Sequence, residues 1–329
     1  MKAIVLEKTS QDFSGIVYTE NREMPEPKPG EIRIKVAVAG LNPVDYKLAQ
    51  GWGGFTWDIP PVLGLDAVGT VDALGEGVTE FSLGQRVYAH GDLSKSNGTF
   101  AEYACVPAYA AAVVPDSISD IEAAALPCSG FTAYQAVIKK LRVQAGRTIL
   151  IHGGGGGVGG YGIQLAKMNG VKVFTACFKA DMDYVKSLGA DFVYDYGEDI
   201  YKKIMEDTDG RGVDYVVNTI DSVTATKDID ILAYLGELVA VVEYPDMNRV
   251  KFYEKAWSLH EVALGGAHFS GDMLSKMQIG EIAKDFINLV EKRIVKPLPI
   301  KTITIKEIPE YLAKLENKQV TGKIVAKIA

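Results

Sequence analysis

From about residue 122 to residue 264, short apolar runs alternate with amphipathic stretches of helical period. A parallel sheet whose strands are joined by crossover helices takes this form in sequence. The runs predict strands at 148–152, 172–176, 191–194, 214–218, 237–242 and 262–265. Six such strands fit an α/β, doubly wound Rossmann sheet. Before about residue 120 the pattern differs: β-like runs at 32–38, 67–74 and 85–89 are separated by turns such as Pro27-Lys28-Pro29-Gly30, which predicts a mainly β domain. The tail reads as a helix at 279–293, a β run at 301–305, a helix at 309–316 and a strand at 323–328, returning to complete the first domain. The expected division is therefore 1–122 with 266–329 against 123–265.

One loop in the second domain carries chemistry. The run Gly153 to Gly157, then Val158 and Gly159, follows an apolar strand and opens a helix reaching about Met168. A GxGxxG register falls on Gly154, Gly156 and Gly159. The first glycine permits a tight turn, the second lets backbone approach a pyrophosphate, and the third lets helix pack on strand; the helix N-terminus then offers N–H groups to phosphate. These residues, with Gly157 and Val158, are candidate cofactor-binding positions. NAD-selective sites place Asp or Glu near the end of the second strand to hold the ribose 2′-OH. Here that strand ends in Ala176 and Cys177, with Lys179 beyond. A missing carboxylate and a nearby ammonium suit a 2′-phosphate, so NADPH is the expected cofactor, although Asp181 lies close and Lys179 also reads as a solvated surface residue. His152, alone at a strand end, reads as a packed histidine.

Composition narrows the class. With 47% hydrophobic and 23% charged residues and no polar tract, the whole chain reads as globular. A net charge of -7 with dispersed lysines argues against nucleic acid as a partner. No run of about eighteen apolar residues and no signal-like N-terminus occurs, which predicts no membrane association and a cytoplasmic protein. Cys105, Cys128 and Cys177 lie far apart, so neither a disulfide framework nor a four-cysteine zinc site is expected.

Four motifs stand in one order: Ala39-Gly40-Leu41-Asn42-Pro43-Val44-Asp45, the segment from Pro61 to Gly69, Gly75-Glu76-Gly77-Val78 with Gly84-Gln85-Arg86-Val87, and the glycine loop. Together they resemble the medium-chain dehydrogenase/reductase superfamily, in its zinc-free quinone oxidoreductase and zeta-crystallin-like branch. The resemblance implies a GroES-like first domain and a homodimer paired through the edge of the cofactor sheet, with 262–265 as the candidate edge. Zinc-dependent relatives have a cysteine and a histidine where this chain has Asn42 and Leu65, so no metal is expected. The resemblance further implies that Asn42 and Asp45 lie beside the nicotinamide ribose and substrate, Asn42 donating its amide and Asp45 orienting a hydroxyl or water. Tyr46 follows as a proton donor or a packing residue. Thr132 matches a threonine that approaches the nicotinamide, while Tyr196 and Lys318 fall near positions bordering the adenosine phosphate or on the surface. Asn218 stands where an aspartate is usual, and the strand through Val242 runs into Glu243 where glycine is common; both positions lie near the cofactor. The loop 265–271 either approaches the substrate, with His268 and Phe269 unassigned, or is a tight interdomain connection.

Without a Lewis acid, a conjugated acceptor is the better substrate, because charge left by hydride addition spreads through its π system. The expected activity is NADPH-dependent, zinc-independent hydride transfer to a quinone or α,β-unsaturated carbonyl. The alternatives are a short-chain alcohol or aldehyde oxidoreductase and a non-catalytic NADPH-binding sensor or structural protein.

Overall fold

A computed structural model describes every residue except Phe252 and Ala329. It divides into two compact units, Met1–Phe131 with Gly265–Lys292 and Pro297–Ala329, and Thr132–Leu264 with Arg293–Lys296. The expected boundary at 122/123 is thus moved: residues 123–131 sort with the first unit, and 293–296 return to the second.

The second unit is built on six parallel strands in the spatial order Phe192–Asp195, Lys172–Cys177, Thr148–His152, Val213–Asn218, Leu232–Ala240 and Ser258–Glu261. Its central strands are almost continuously apolar because helices cover both faces of such a sheet. Strand order reverses between Thr148–His152 and Val213–Asn218, which makes the carboxyl ends of these two strands the crevice where such sheets take ligands. The sixth strand is Ser258–Glu261, not 262–265. Its four residues are partly or fully exposed, as suits a short polar edge, whereas Leu264–Phe269 forms a 3-10 turn. At the opposite ends of the central strands, Asp214 accepts hydrogen bonds from the Thr148 N–H at 2.9 Å, Arg147 at 3.1 Å and Arg211 at 2.5 Å. Burial opposes ionisation of Asp214, but the bonds from Arg211 and Thr148 hold its carboxyl down at about 2.

The first unit contains a seven-stranded sheet running Ile300–Thr304, Lys323–Lys327, Glu31–Leu41, Asp66–Leu74, Arg86–His90 and Ala111–Val113, with Tyr103–Pro107 also paired to Glu31–Leu41, and a separate hairpin of Ala3–Leu6 and Ile16–Thr19. Register sets Gly40 opposite Asp66 and Asp66 opposite His90. Three residues distant in sequence therefore lie side by side. Gly40 is required there, because a Cβ would meet the Ala124 carbonyl oxygen at 2.3 Å. Helices Pro43–Ala49 and Ile308–Glu316 supply Leu48, Ile308 and Leu312 to the core beside this sheet.

Candidate active site

The glycine loop joins strand Thr148–His152 to helix Gly157–Met168. Gly153 has φ +73°, a left-handed conformation that favours glycine. A Cβ on Gly154 would meet the Thr175 hydroxyl at 2.4 Å, and one on Gly159 would meet the Gly153 carbonyl oxygen at 2.1 Å. Gly156 differs: its Cβ would have one neighbour, the Gly153 carbonyl oxygen at 3.4 Å. The first and third glycines of the register are thus demanded by the protein's own packing. The second is not, which leaves close approach of a ligand as its physical use. Gly156 is also the N-cap, so the first-turn N–H groups of Gly157, Val158 and Gly159 lack intrahelical acceptors. The loop therefore fits a pyrophosphate.

Tyr196 supports this loop directly. Its hydroxyl accepts the Gly153 N–H at 2.8 Å, and the same N–H also reaches the Ala176 carbonyl at 3.1 Å. The cofactor strand ends at Cys177, which is buried, and burial pushes its thiol up to about 11. Lys179 is exposed and has no ion pair among the described residues. Asp181 reaches back to the loop, its carboxylate lying 2.6 Å from where a Gly155 Cβ would stand.

Asn218 does not present its side chain as a cofactor ligand. It is buried at the strand end, its amide donating to Asp228 at 2.7 Å and its carbonyl oxygen accepting the Ile220 N–H at 2.9 Å. Asp228 also meets His152 Nε2 at 2.8 Å, so His152 is the packed histidine that its position suggests. Val242 lies beyond the end of its strand and is exposed. Glu243, the departure from the usual glycine, accepts the Ser222 N–H at 3.0 Å and so closes the first turn of helix Ser222–Asp228. Thr132 is buried within helix Pro127–Tyr134. Lys318 belongs to the first unit, at an exposed position of φ +55° just after helix Ile308–Glu316.

In the first unit the Asn42 block forms a buried polar cluster. Asn42 is 1% exposed; its amide donates to Asp66 at 2.8 Å and its carbonyl oxygen accepts from Lys323 Nζ at 2.5 Å. The Cys128 N–H donates to both Asp66 oxygens at 3.0 and 3.1 Å, and Lys323 also reaches the Leu41 carbonyl at 3.1 Å. Asp45 has a structural task in this cluster. Fully buried, it accepts the Asn42 N–H through Oδ2 at 2.7 Å and caps helix Pro43–Ala49, while its Oδ1 is buried without a hydrogen-bond partner. Burial, and the nearby Asp66, push its carboxyl well above the usual range. Burial likewise raises Asp66 to about 6, against the pull of Lys323. Tyr46 is half-buried against the core of this unit. Leu65 is buried in the same core. No group of three or more His, Cys, Asp or Glu side chains among the described residues is arranged to hold a metal ion, and no helix among them is long and apolar enough to cross a membrane.

Comparison with known proteins agrees with this architecture. Residues 28–116 match the alcohol dehydrogenase GroES-like domain, and residues 157–288 match the zinc-binding dehydrogenase domain. The quinone oxidoreductase of Sus scrofa is 33% identical over 220 residues, 66% of each chain. The chain belongs to the quinone oxidoreductase-like branch of the medium-chain dehydrogenase/reductase superfamily. It is an oxidoreductase of that superfamily. A zinc-type alcohol dehydrogenase-like protein of Staphylococcus epidermidis is 28% identical over the full length of both chains. The solved mycobacterial protein Rv1454c in complex with NADPH superposes with a TM-score of 0.86, at 26% identity over 99% of each chain. Membership bears out the doubly wound sheet and GroES-like domain expected from sequence.

The signal missed in the sequence is Lys323. It reads as an ordinary strand lysine until the fold brings it, 281 residues along the chain, to the side chain of Asn42.

Proposed function

We propose that this oxidoreductase uses NADPH and, without zinc, transfers hydride to a quinone or an α,β-unsaturated carbonyl. The observation that carries the reading is the side-chain set at the positions where zinc-dependent relatives place ligands. Asn42 is bonded there to an ammonium, Lys323, and Leu65 is buried among apolar residues. A cation beside Lys323 would meet like-charge repulsion with no thiolate or imidazole to offset it. Conjugated acceptors need less local charge stabilisation than simple ketones.

The nicotinamide supplies the hydride. The chain's own residues bind and orient: Gly156 leaves room for the pyrophosphate, the helix N-terminus donates to it, and Tyr196 fixes the loop through Gly153. Lys179 pairs with the 2′-phosphate, a reading supported by the NADPH complex of the mycobacterial neighbour. A second reading, NADH as cofactor, is favoured by one observation, the Asp181 carboxylate beside Gly155.

Loss of NADPH absorbance in the presence of quinones and enones tests the activity. Turnover unaffected by a chelator, with higher kcat/KM for NADPH than NADH, is the expected result. Lys179→Ala should weaken NADPH by about tenfold, the order expected for one charge-assisted contact, and leave NADH unchanged. Silence across a panel of acceptors overturns the activity; activity lost on chelation returns the chemistry to a metal. A homodimer paired through the edge strand Ser258–Glu261 is part of the proposal, and light scattering checks it.

A further inference from the structure

The strand that ends at Cys177 is followed by an aromatic residue that the function described so far does not use. Every position of Lys172–Cys177 after the first is buried, yet Phe178, the next residue, is 48% exposed. Its place is nonetheless fixed. In the turn Lys179–Asp181 the Asp181 N–H donates to the Phe178 carbonyl at 2.8 Å, which sets the backbone. The Tyr196 ring braces the side chain, with ring centroids 5.4 Å apart and 71° between the planes. Tyr196 is itself tied at two points: its N–H donates to the Cys177 carbonyl at 3.1 Å, and its hydroxyl accepts the Gly153 N–H at 2.8 Å. A phenyl group held in this way has already lost the freedom whose loss would oppose stacking by a ligand.

The neighbourhood decides what would stack there. The glycine loop fits a pyrophosphate, and in dinucleotide-binding sheets the end of the second strand meets the ribose of the adenosine half. Phe178 is the first side chain beyond that strand end, and Tyr196 links it to the loop through Gly153. The base carried by that ribose therefore has Phe178 as its flat apolar neighbour. Across the loop, past the end of strand Val213–Asn218, Ile220 Cδ1 lies 3.9 Å from where a Gly153 Cβ would stand, so the other flank is apolar too. Aromatic stacking holds a base by its π-face and is indifferent to what the ribose carries.

We propose that Phe178 is the platform on which the adenine base of the dinucleotide stacks, with Tyr196 as its positioning residue. This rests on the dinucleotide proposed above and needs no particular acceptor. It divides the work between consecutive residues: Phe178 holds the base common to NADPH and NADH, and Lys179 meets the phosphate that NADPH alone carries.

The test is calorimetric titration of the full chain with NADPH, NADH and ADP, together with competition of inorganic pyrophosphate against NADPH. Phe178→Leu keeps apolar bulk and loses the ring. It should weaken NADPH, NADH and ADP alike by about tenfold, leave pyrophosphate unchanged because pyrophosphate has no base, and keep the thermal midpoint of the parent. Phe178→Trp should restore all three affinities. Tyr196→Phe keeps the brace and loses the bond to Gly153, so ADP and pyrophosphate should weaken together, by about fivefold. Tyr196→Leu loses the brace as well, and ADP should fall further while pyrophosphate stays level with Tyr196→Phe; equal ADP affinity in these two variants overturns the positioning role. Equal ADP affinity in the parent and Phe178→Leu overturns the platform. So does a Phe178→Leu protein in which pyrophosphate weakens as much as ADP, since the loop and not the base contact would then have changed. In either case a parent that binds NADPH keeps the cofactor reading. A parent that binds NADPH more tightly than Phe178→Leu does, yet reduces no acceptor, keeps the platform and loses the activity; one that binds neither dinucleotide nor ADP removes both.

Discussion

Gly156 and Gly159 stand three residues apart in the same loop, yet the surroundings of their missing Cβ atoms assign them opposite roles. At Gly159 a methyl group would lie 2.1 Å from the Gly153 carbonyl oxygen, so Gly159→Ala forces the helix off the strand. At Gly156, with ordinary negative φ of -89° and a single neighbour at 3.4 Å, alanine is accommodated. Gly156→Ala should therefore keep the thermal midpoint within a few degrees and weaken dinucleotide binding by about tenfold or more, because the methyl group occupies the phosphate's approach. Gly159→Ala should lower the midpoint itself. Calorimetric titration with NADPH beside a thermal melt separates the two, and a Gly156→Ala protein that binds as the parent does would remove the loop from the cofactor site. This register was legible in the sequence because each glycine's role is local. The task of Asp45 was not, because only the fold shows how deeply the Asn42 block is buried.

At the scale of elements, the carboxyl ends of the two central strands are held by one carboxylate. Asp228, at the end of helix Ser222–Asp228, binds His152 at the end of one strand and Asn218 at the end of the other. Replacing it by leucine leaves two buried polar groups unmet, which should cost about 3 kcal/mol in urea unfolding without changing the m-value. A loss below about 0.5 kcal/mol would show that water or a rearranged partner replaces it. None of this was legible in the sequence, where Asn218 looked like a lost aspartate; the aspartate it serves arrives ten residues later from a helix. Strands hidden on both faces were legible as apolar runs, hence the close agreement at Thr148–His152 and Val213–Asn218. The edge strand Ser258–Glu261 was not, because an edge need not be apolar, and the apolar residues just after it drew the expected strand to the wrong place. Glu243 follows the same logic: an oddity in the pattern became a cap once its helix was in view.

For the molecule as a whole, the buried carboxylates make stability depend on pH in two separate windows. Asp66 in the folded first unit titrates near 6, raised by burial above the ordinary aspartate value of 3.8. A raised carboxyl favours its protonated form in the fold, so its contribution is fully present below about 3.8 and is lost as pH rises through 6. A displacement of that size corresponds to about 3 kcal/mol. Asp45, raised in the same cluster, acts with the same sign. Asp214 in the second unit acts with the opposite sign: held near 2, it stabilises above its ordinary value and that support disappears as pH falls from about 4 toward 2. Between about pH 4.5 and 7.5 Asp214 is ionised in both states and contributes no slope, while buried His90, held down to about 3, and His268, lowered by burial, add support as pH rises toward the ordinary histidine value of 6.5, so the Asn42 cluster is read from the difference between parent and variant. Unfolding followed across that range should show Asp66→Asn gaining stability relative to the parent as pH rises toward 6, because the variant lacks the falling contribution of this carboxyl while Asp45 and the two histidines remain in both. Because Lys323 pulls Asp66 down, Lys323→Met should carry that fall to higher pH by raising Asp66 further. A stability difference between parent and Asp66→Asn that does not change over this range would mean that the carboxylate stays ionised in the fold, with Lys323 and the Cys128 N–H outweighing the cost of burial.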